Sequence, residues 1–445
     1  MFRPTGFADL RGRRVGVFGV GVEGRATQRR LAAVAQHLVL VDDAALDDPD
    51  VLRTSEGGLA ALHTCEVVIK SPGIARRRPD VLDLEVHGVA IVSALNLWLH
   101  EVERERVLAI TGTKGKSTTT ALAAFFLECL GERALRLGNI GQPPYDPDVD
   151  TSEGWLVLEV SSFQCVDIDV APAFVVVTSL GADHLDWHGS LEQYQSDKLA
   201  LTRTPGEHHT LVPDNPTFRG RADQLGGELL FVEPDTTHLA TALGLVGAHN
   251  NSNVALALRA VAELTGRDVD EVREMVREQA SQFEPLRGRL TLAAHEEGDV
   301  GARVRYIDDG LATSVLPTVA ALEVFADDPL SLIAGGFDRG VDYAPLARAL
   351  GARRARTTLV AMGEAGARLT LDVRSLAPDL EVIEVPTMRD AVSRARAALE
   401  GEGVVLFSPA APSFDRYHNW AERSEDFTKV ARELAREWDA GFYND

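Results

Sequence analysis

The chain has 445 residues, is 45% hydrophobic, and carries 67 Asp and Glu against 45 Lys and Arg, a formal net charge of -22. That length suffices for two or three domains with separate cores, and the acidic balance argues against a protein that grips nucleic acid by its phosphate backbone. No run approaches the ~20 apolar residues that span a bilayer, the N-terminus lacks the apolar centre of a signal peptide, and Cys65, Cys129 and Cys165 fit neither a zinc site nor a disulfide framework, so a cytoplasmic protein with buried free thiols is expected.

Strand-length apolar runs alternate with longer helical patterns along the chain. They fall at 14–18, 38–41, 67–69, 107–110, 155–158, 174–177, 330–333, 358–361 and 404–407. Runs without polar alternation belong to sheets covered on both faces, which predicts a parallel α/β architecture. Three pieces are expected: 1–104, 105–289 and 290–445, with 283–289 leading into the last.

The first piece opens with Gly19-x-Gly21-x-x-Gly24 between a strand and a helix, and Asp42 ends the next strand. This is the dinucleotide fingerprint with its acid, and taken alone it suggests an NAD enzyme. A second glycine turn, Ser71-Pro72-Gly73, follows the strand 67–69.

The second piece begins with a strand running into Thr111-Gly112-Thr113-Lys114-Gly115-Lys116-Ser117-Thr118 and then a helix. Glycines let backbone N–H groups turn toward a phosphate, and the helix N-terminus adds partial positive charge. Lys116 then neutralises β/γ oxygens, and Ser117 or Thr118 holds Mg2+. Ile110 stands where the strict pattern has glycine.

Glu159 ends the strand 155–158, where a buried carboxylate calls for a cation. The run Asp183-His184-Leu185-Asp186 follows the strand 174–177, at the edge where α/β sites gather, so His184 is a metal candidate. Asp183 or Asp186 equally suits a helix N-cap. The spacing gives Lys198 no chemistry. His249-Asn250-Asn251-Ser252-Asn253 starts a helix, and its side chains serve either as caps or as partners for an adenine edge.

In the third piece, Asp309, Arg339 and Ser413 sit in polar loops after successive strands. That places them on one edge of one sheet, where a ligand would lie.

Taken together, these motifs resemble the Mur ligases, over nearly the whole chain. The set is Thr111–Thr118, Glu159-x-Ser161-Ser162, Asp183-His184, Lys198, His249-Asn250-x-x-Asn253 and Arg289. Within that family the resemblance is to the glutamate-adding ligases, on the first glycine fingerprint, Ser71-Pro72-Gly73, Asn139-Ile140-Gly141 and Ser408-Pro409-Ala410-x-x-Ser413-Phe414-Asp415. It implies three domains: a Rossmann-like UDP-binding domain, a phosphate-loop ATPase domain and a Rossmann-like C-terminal domain.

It also implies a reaction, in which ATP activates UDP-N-acetylmuramoyl-L-alanine as an acyl phosphate and glutamate takes the acyl group. ATP would meet Gly112 to Thr118, Asn253, Arg289 and Asp309. The UDP substrate would meet Gly21, Asp42, Ser71, Gly73, Asn139, Ser161 and Gln164, and the amino acid Thr313, Arg339, Ser413 and Trp420. Mg2+ would be held by Ser117, Glu159, His184 and Lys198 as a carbamate, and Lys116, His184 and Lys198 would be catalytic. A monomer whose third domain closes over ATP is implied, with no membrane or nucleic-acid partner.

The departures from the family pattern cluster where the amino acid binds. D-glutamate enzymes commonly read Asp-Ser-Lys-Ala-Thr; here the run is Asp309-Gly310-Leu311-Ala312-Thr313. Arg339 stands where Lys is usual, and Gly288-Arg289 where His-Arg is usual. These changes resemble a branch that adds L-glutamate and works with a separate epimerase. The alternatives are the D-glutamate ligase and, more remotely, a folylpolyglutamate-type ligase.

Overall fold

A computed structural model describes residues 2–139, 141–298 and 301–439. It contains three sheets. The chain divides into two compact units, Met1–Leu239 with Asn251–Ala280, and Ala240–Asn250 with Ser281–Asp445. Two sheets lie in the first unit and one in the second.

The first sheet consists of β1 (Arg14–Phe18), β2 (His37–Asp42), β3 (Val51–Arg53), β4 (Val67–Lys70) and β5 (Ala90–Val92). All its pairs are parallel, in the order β3-β2-β1-β4-β5. The second has β6 (Val107–Thr111), β7 (Ala134–Gly138), β8 (Trp155–Glu159), β9 (Phe174–Val177), β10 (His209–Pro213) and β11 (Glu228–Val232). It is also wholly parallel, in the order β11-β10-β9-β6-β8-β7. Strand β6 is buried at every position, because helices cover both faces of such a sheet and leave no reason for polar alternation. Val15, Leu97 and Trp98 share one apolar cluster with Val107, Leu156 and Val175, so these two sheets are joined by a common core.

The third sheet holds β12 (Thr291–Gly298), β13 (Gly301–Asp308), β14 (Leu330–Gly335), β15 (Thr357–Met362), β16 (Glu381–Glu384) and β17 (Gly403–Phe407), in the order β12-β13-β17-β14-β15-β16. Its one departure from the parallel pattern is at the edge, where β12 pairs antiparallel with β13. The run 291–298 mixes polar and small residues and lacks a clear apolar stretch, which is why it does not read as a strand. Among the described residues, no helix is long and apolar enough to cross a membrane. The three thiols are free and buried, as expected.

Strand β14 ends in a glycine that the sheet cannot replace. Gly335 has φ +125°, and a Cβ there would overlap the Met362 carbonyl of the neighbouring strand. Gly335→Ala should therefore cost at least about 3 kcal/mol of stability, from backbone strain and steric overlap together. Chemical denaturation followed by circular dichroism measures this, and wild-type stability in the variant would show that the loop relaxes freely.

Candidate active site

The phosphate loop joins β6 to the helix Lys116–Cys129. Gly112 has φ +148° and Gly115 φ +87°, conformations open to glycine. A Cβ on Gly112 would overlap the Thr178 hydroxyl, and one on Gly115 would press on Asn253 Oδ1. The loop is held from β9's end: Thr113 N donates to Ser179 O (2.9 Å) and Lys114 N to Ser179 Oγ (2.8 Å). Ser117 is buried in the helix's first turn, and Thr118 beside it is half-buried.

Two lysines converge on one carbonyl. Lys116 Nζ and Lys198 Nζ each donate to Gly112 O at 2.9 Å. Lys198 is buried, and burial first, then the Lys116 charge, pulls its amine down to about 7. Tyr194 supports it from the side, with its ring 5.0 Å from Nζ and its hydroxyl donating to Thr113 Oγ1 (2.9 Å).

Glu159 closes the group at the end of β8. Its Oε1 accepts from Asn139 Nδ2 at 2.9 Å. Its Oε2 is buried and has no hydrogen-bond partner among the described residues. An orphaned carboxylate oxygen in a buried position fits a cation ligand, because leaving it unmet is costly. His184 is exposed on the rim, with φ 48°, its ring 4.9 Å from that of Phe163 and its Nε2 3.8 Å from Asp183 Oδ2. Neither Ile140 nor the Asp186 side chain lies among the described residues. Asn253 is buried behind the phosphate loop, with Thr119 Oγ1 donating to its Oδ1 at 3.4 Å.

On the first sheet, the fingerprint acid turns inward. Asp42 accepts from Val20 N (2.6 Å) and Ala44 N (2.9 Å), so it fixes the turn around Gly21. Ser71 Oγ donates to Gly19 O at 2.5 Å, and Gly73 O accepts from Trp187 Nε1 at 3.4 Å. Ser161 and Gln164 form a capping box on the short helix Ser162–Cys165. Gln164 Nε2 also donates to Glu23 (2.9 Å), whose other oxygen accepts from Tyr145 (2.9 Å); burial raises the Glu23 carboxyl.

Sequence reasoning missed one connection here. Arg77 meets Asp197 with both terminal nitrogens at 2.9 Å, His188 Nδ1 lies 2.8 Å from Asp197, and His188 Nε2 lies 3.0 Å from Ser162 Oγ. The chain of contacts runs from the loop after β4 to the neighbours of Lys198 and Glu159. Only the adjacency of Asp197 to Lys198 hints at it in the sequence.

In the second unit, the C-terminal ends of β13, β17 and β14 are neighbours, so Asp309, Ser413 and Arg339 do leave one sheet edge. Asp309 accepts from Ser408 Oγ at 2.7 Å. Burial raises its carboxyl to about 7, with Asp308 adding repulsion and the nearby Arg289 opposing it. Arg289 is exposed, as is Arg339, whose guanidinium lies 5.8 Å from the Phe414 ring. Ser413 is buried, and its carbonyl accepts from Arg416 N and Tyr417 N. Thr313 N donates to Leu311 O at 2.9 Å. Arg423, missed in the sequence, holds this edge from below by donating to Gly335 O, Ala411 O and Pro412 O.

Three positions that depart from the family pattern, or stand beside such a departure, are in contact. Leu311 N donates to Gly288 O (3.1 Å), and the Trp420 ring lies so close to Gly288 that an added Cβ would come within 2.8 Å of it.

Comparison with known proteins decides the family. Residues 110–225 match the Mur ligase middle domain. A UDP-N-acetylmuramoyl-L-alanine--L-glutamate ligase of Micromonospora is 36% identical, covering 96% of this chain and 98% of that protein. The chain belongs to the Mur ligase family. A UDP-N-acetylmuramoylalanine--D-glutamate ligase of Shouchella clausii is also similar to this Mur ligase, at 31% identity over 94% of the chain and 96% of that protein. The fold is also that of a UDP-N-acetylmuramoylalanyl-D-glutamyl-2,6-diaminopimelate--D-alanyl-D-alanyl ligase from Acinetobacter baumannii, with a TM-score of 0.53, 16% identity, and coverage of 90% of this chain and 85% of that one.

The raised Asp309 carboxyl gives a pH test. Its value moves from 3.8 to about 7 on folding, so between those values the native chain holds a proton that the unfolded chain has lost. This contribution to stability is full in acid and is lost as pH rises through 7. Asp309→Asn should therefore raise the unfolding midpoint of the Mur ligase at pH 8, with the gain shrinking toward pH 4. A gain independent of pH would mean that Asp309 is not held protonated by burial.

Proposed function

We propose that this chain joins L-glutamate to the alanine carboxylate of UDP-N-acetylmuramoyl-L-alanine at the expense of ATP, in the cytoplasmic stage of peptidoglycan precursor synthesis. The observation that supports it most is the pairing of Lys116 and Lys198 on Gly112 O beside the orphaned oxygen of Glu159. In this reading, residues 1–104 bind the UDP substrate, 105–289 bind ATP, and 290–445 bind the amino acid.

The reaction brings anions together, so cations must offset their repulsion. The alanine carboxylate attacks the γ-phosphorus of ATP, and ADP leaves. The glutamate amine then attacks the acyl carbon and gives up a proton, and phosphate leaves as the C–O bond breaks. Lys116 neutralises β/γ oxygens, and Arg289, the last residue of the ATP-binding piece, serves the phosphates. Asp309 accepts from the ribose, and Asn253 completes the nucleotide site from behind the loop.

Ser117, Glu159, His184 and a carbamylated Lys198 would hold Mg2+, which offsets phosphate charge when bound. A lysine amine lowered to about 7 is substantially neutral at cellular pH and so able to attack CO2. A C–N bond forms as one C=O π bond of CO2 opens, the nitrogen loses a proton, and the neutral amine becomes a carbamate anion. Asp42, Ser71, Gly73 and Gly21 shape the uridine diphosphate site, while Asn139, Ser161 and Gln164 lie toward the muramoyl-alanine end.

The L-glutamate reading is supported by the contact of Leu311, Gly288 and Trp420, together with the L-glutamate ligase name of the Micromonospora relative. Leucine removes the cation that D-glutamate enzymes place at this position, and Gly288 makes room for the indole. Arg339 then supplies the carboxylate anchor, which a guanidinium can grip with two parallel bonds, alongside Thr313 and Ser413. An L-glutamyl product requires a separate epimerase to invert it.

Phosphate release from ATP, with UDP-N-acetylmuramoyl-L-alanine and either glutamate enantiomer, tests this directly. Activity is expected with L-glutamate, and D-glutamate as the sole substrate would overturn the stereochemical reading. Lys116→Ala should lower turnover by about a hundredfold to a thousandfold without changing the circular dichroism spectrum. Leu311→Lys should shift preference toward D-glutamate, and an unchanged enantiomer ratio would remove Leu311 as the determinant.

A further inference from the structure

We propose that His63, Asp83 and His87 form a binding site for a divalent transition metal with affinity for nitrogen ligands, such as Zn2+. The site lies on the first sheet's covering helices, away from the candidate active site. His63 directly follows the helix Gly58–Leu62, and Asp83 and His87 lie four residues apart at the end of the helix Pro79–Val86. That spacing puts the last two on one helical face. The trio brackets β4, with one ligand before the strand and two after it.

The geometry is that of three ligands already gathered. His63 Nε2 lies 2.8 Å from Asp83 Oδ2, and His87 Nδ1 lies 3.4 Å from Asp83 Oδ1 and 2.8 Å from the Asp83 carbonyl oxygen. The imidazoles stand perpendicular with centroids 5.0 Å apart. One donor atom from each residue lies within 4.8 Å of the other two. Bonds of about 2.0–2.2 Å to zinc in a tetrahedron place ligand atoms roughly 3.4 Å apart, so side-chain rotation brings the trio into range, with His87 either releasing the Asp83 carbonyl or offering its other ring nitrogen.

Packing fixes the backbones that carry these ligands. Leu62, next to His63, and Val81 and Leu84, beside Asp83, are buried in one cluster with Val68 of β4. The ligand side chains themselves are 27%, 46% and 59% exposed for His63, Asp83 and His87, so they can turn and water can complete the coordination shell. Two imidazole nitrogens and one carboxylate suit Zn2+, Ni2+ or Cu2+, whereas Mg2+ and Ca2+ prefer all-oxygen sets.

Isothermal titration of the full chain with ZnCl2 tests this, after chelator treatment and with excess Mg2+ present to occupy the phosphate-loop site. Wild type should bind one more zinc equivalent than the His63→Ala/His87→Ala double variant. Asp83→Asn should weaken that equivalent by about tenfold or more, and acid should weaken it further as protons compete for imidazole nitrogen. Zinc should also raise the thermal midpoint of wild type but not of the double variant, since only a bound ligand stabilises the folded state. Equal midpoints in chelator establish that the variant is folded. Equal zinc stoichiometry and affinity in the two proteins would overturn the proposal.

Discussion

Two lysine amines share one backbone oxygen. Gly112 O accepts from both Lys116 and Lys198, at a residue whose φ of +148° is open to glycine. Like charges at this separation repel, and burial adds to the cost. The loop and the helices around it must therefore hold the arrangement against its own electrostatics. They do so through the Ser179 contacts from β9, Asn253 from behind and Tyr194 from the side. Burial and repulsion together are also what pull the Lys198 amine down to about 7.

Much of this was legible in the sequence because the signals are local. The nine apolar runs read as strands are strands, and the loop from Thr111 to Thr118 lies between strand and helix as its pattern demands. The position of Glu159 at a strand end followed from the same reading. What could not be read is what depends on distant partners. Arg77 and Asp197 are 120 positions apart, and nothing in the spacing of either predicts the other. Likewise β12 carries a mixed pattern, because an edge strand in a hairpin meets solvent as well as core.

Asp42 shows where a correct motif gives an incomplete account. The fingerprint places an acid at the end of β2, and the acid is there. Both of its oxygens are engaged by the backbone amides of Val20 and Ala44. Its role within the fold is to set the glycine turn. Gln164 likewise serves the fold, capping a helix and anchoring the buried Glu23. Short polar motifs at sheet ends report where a site is more dependably than which atoms face the substrate.

The bridge between Arg77 and Asp197 has a further consequence. Asp197 is nearly enclosed while Arg77 is about half exposed, so one side of a buried polar connection opens directly to solvent. A small molecule that drew Arg77 outward would leave Asp197, the neighbour of Lys198, to His188 and Gln193 alone. Such a compound would be held through an anionic group, because a guanidinium is what it must grip.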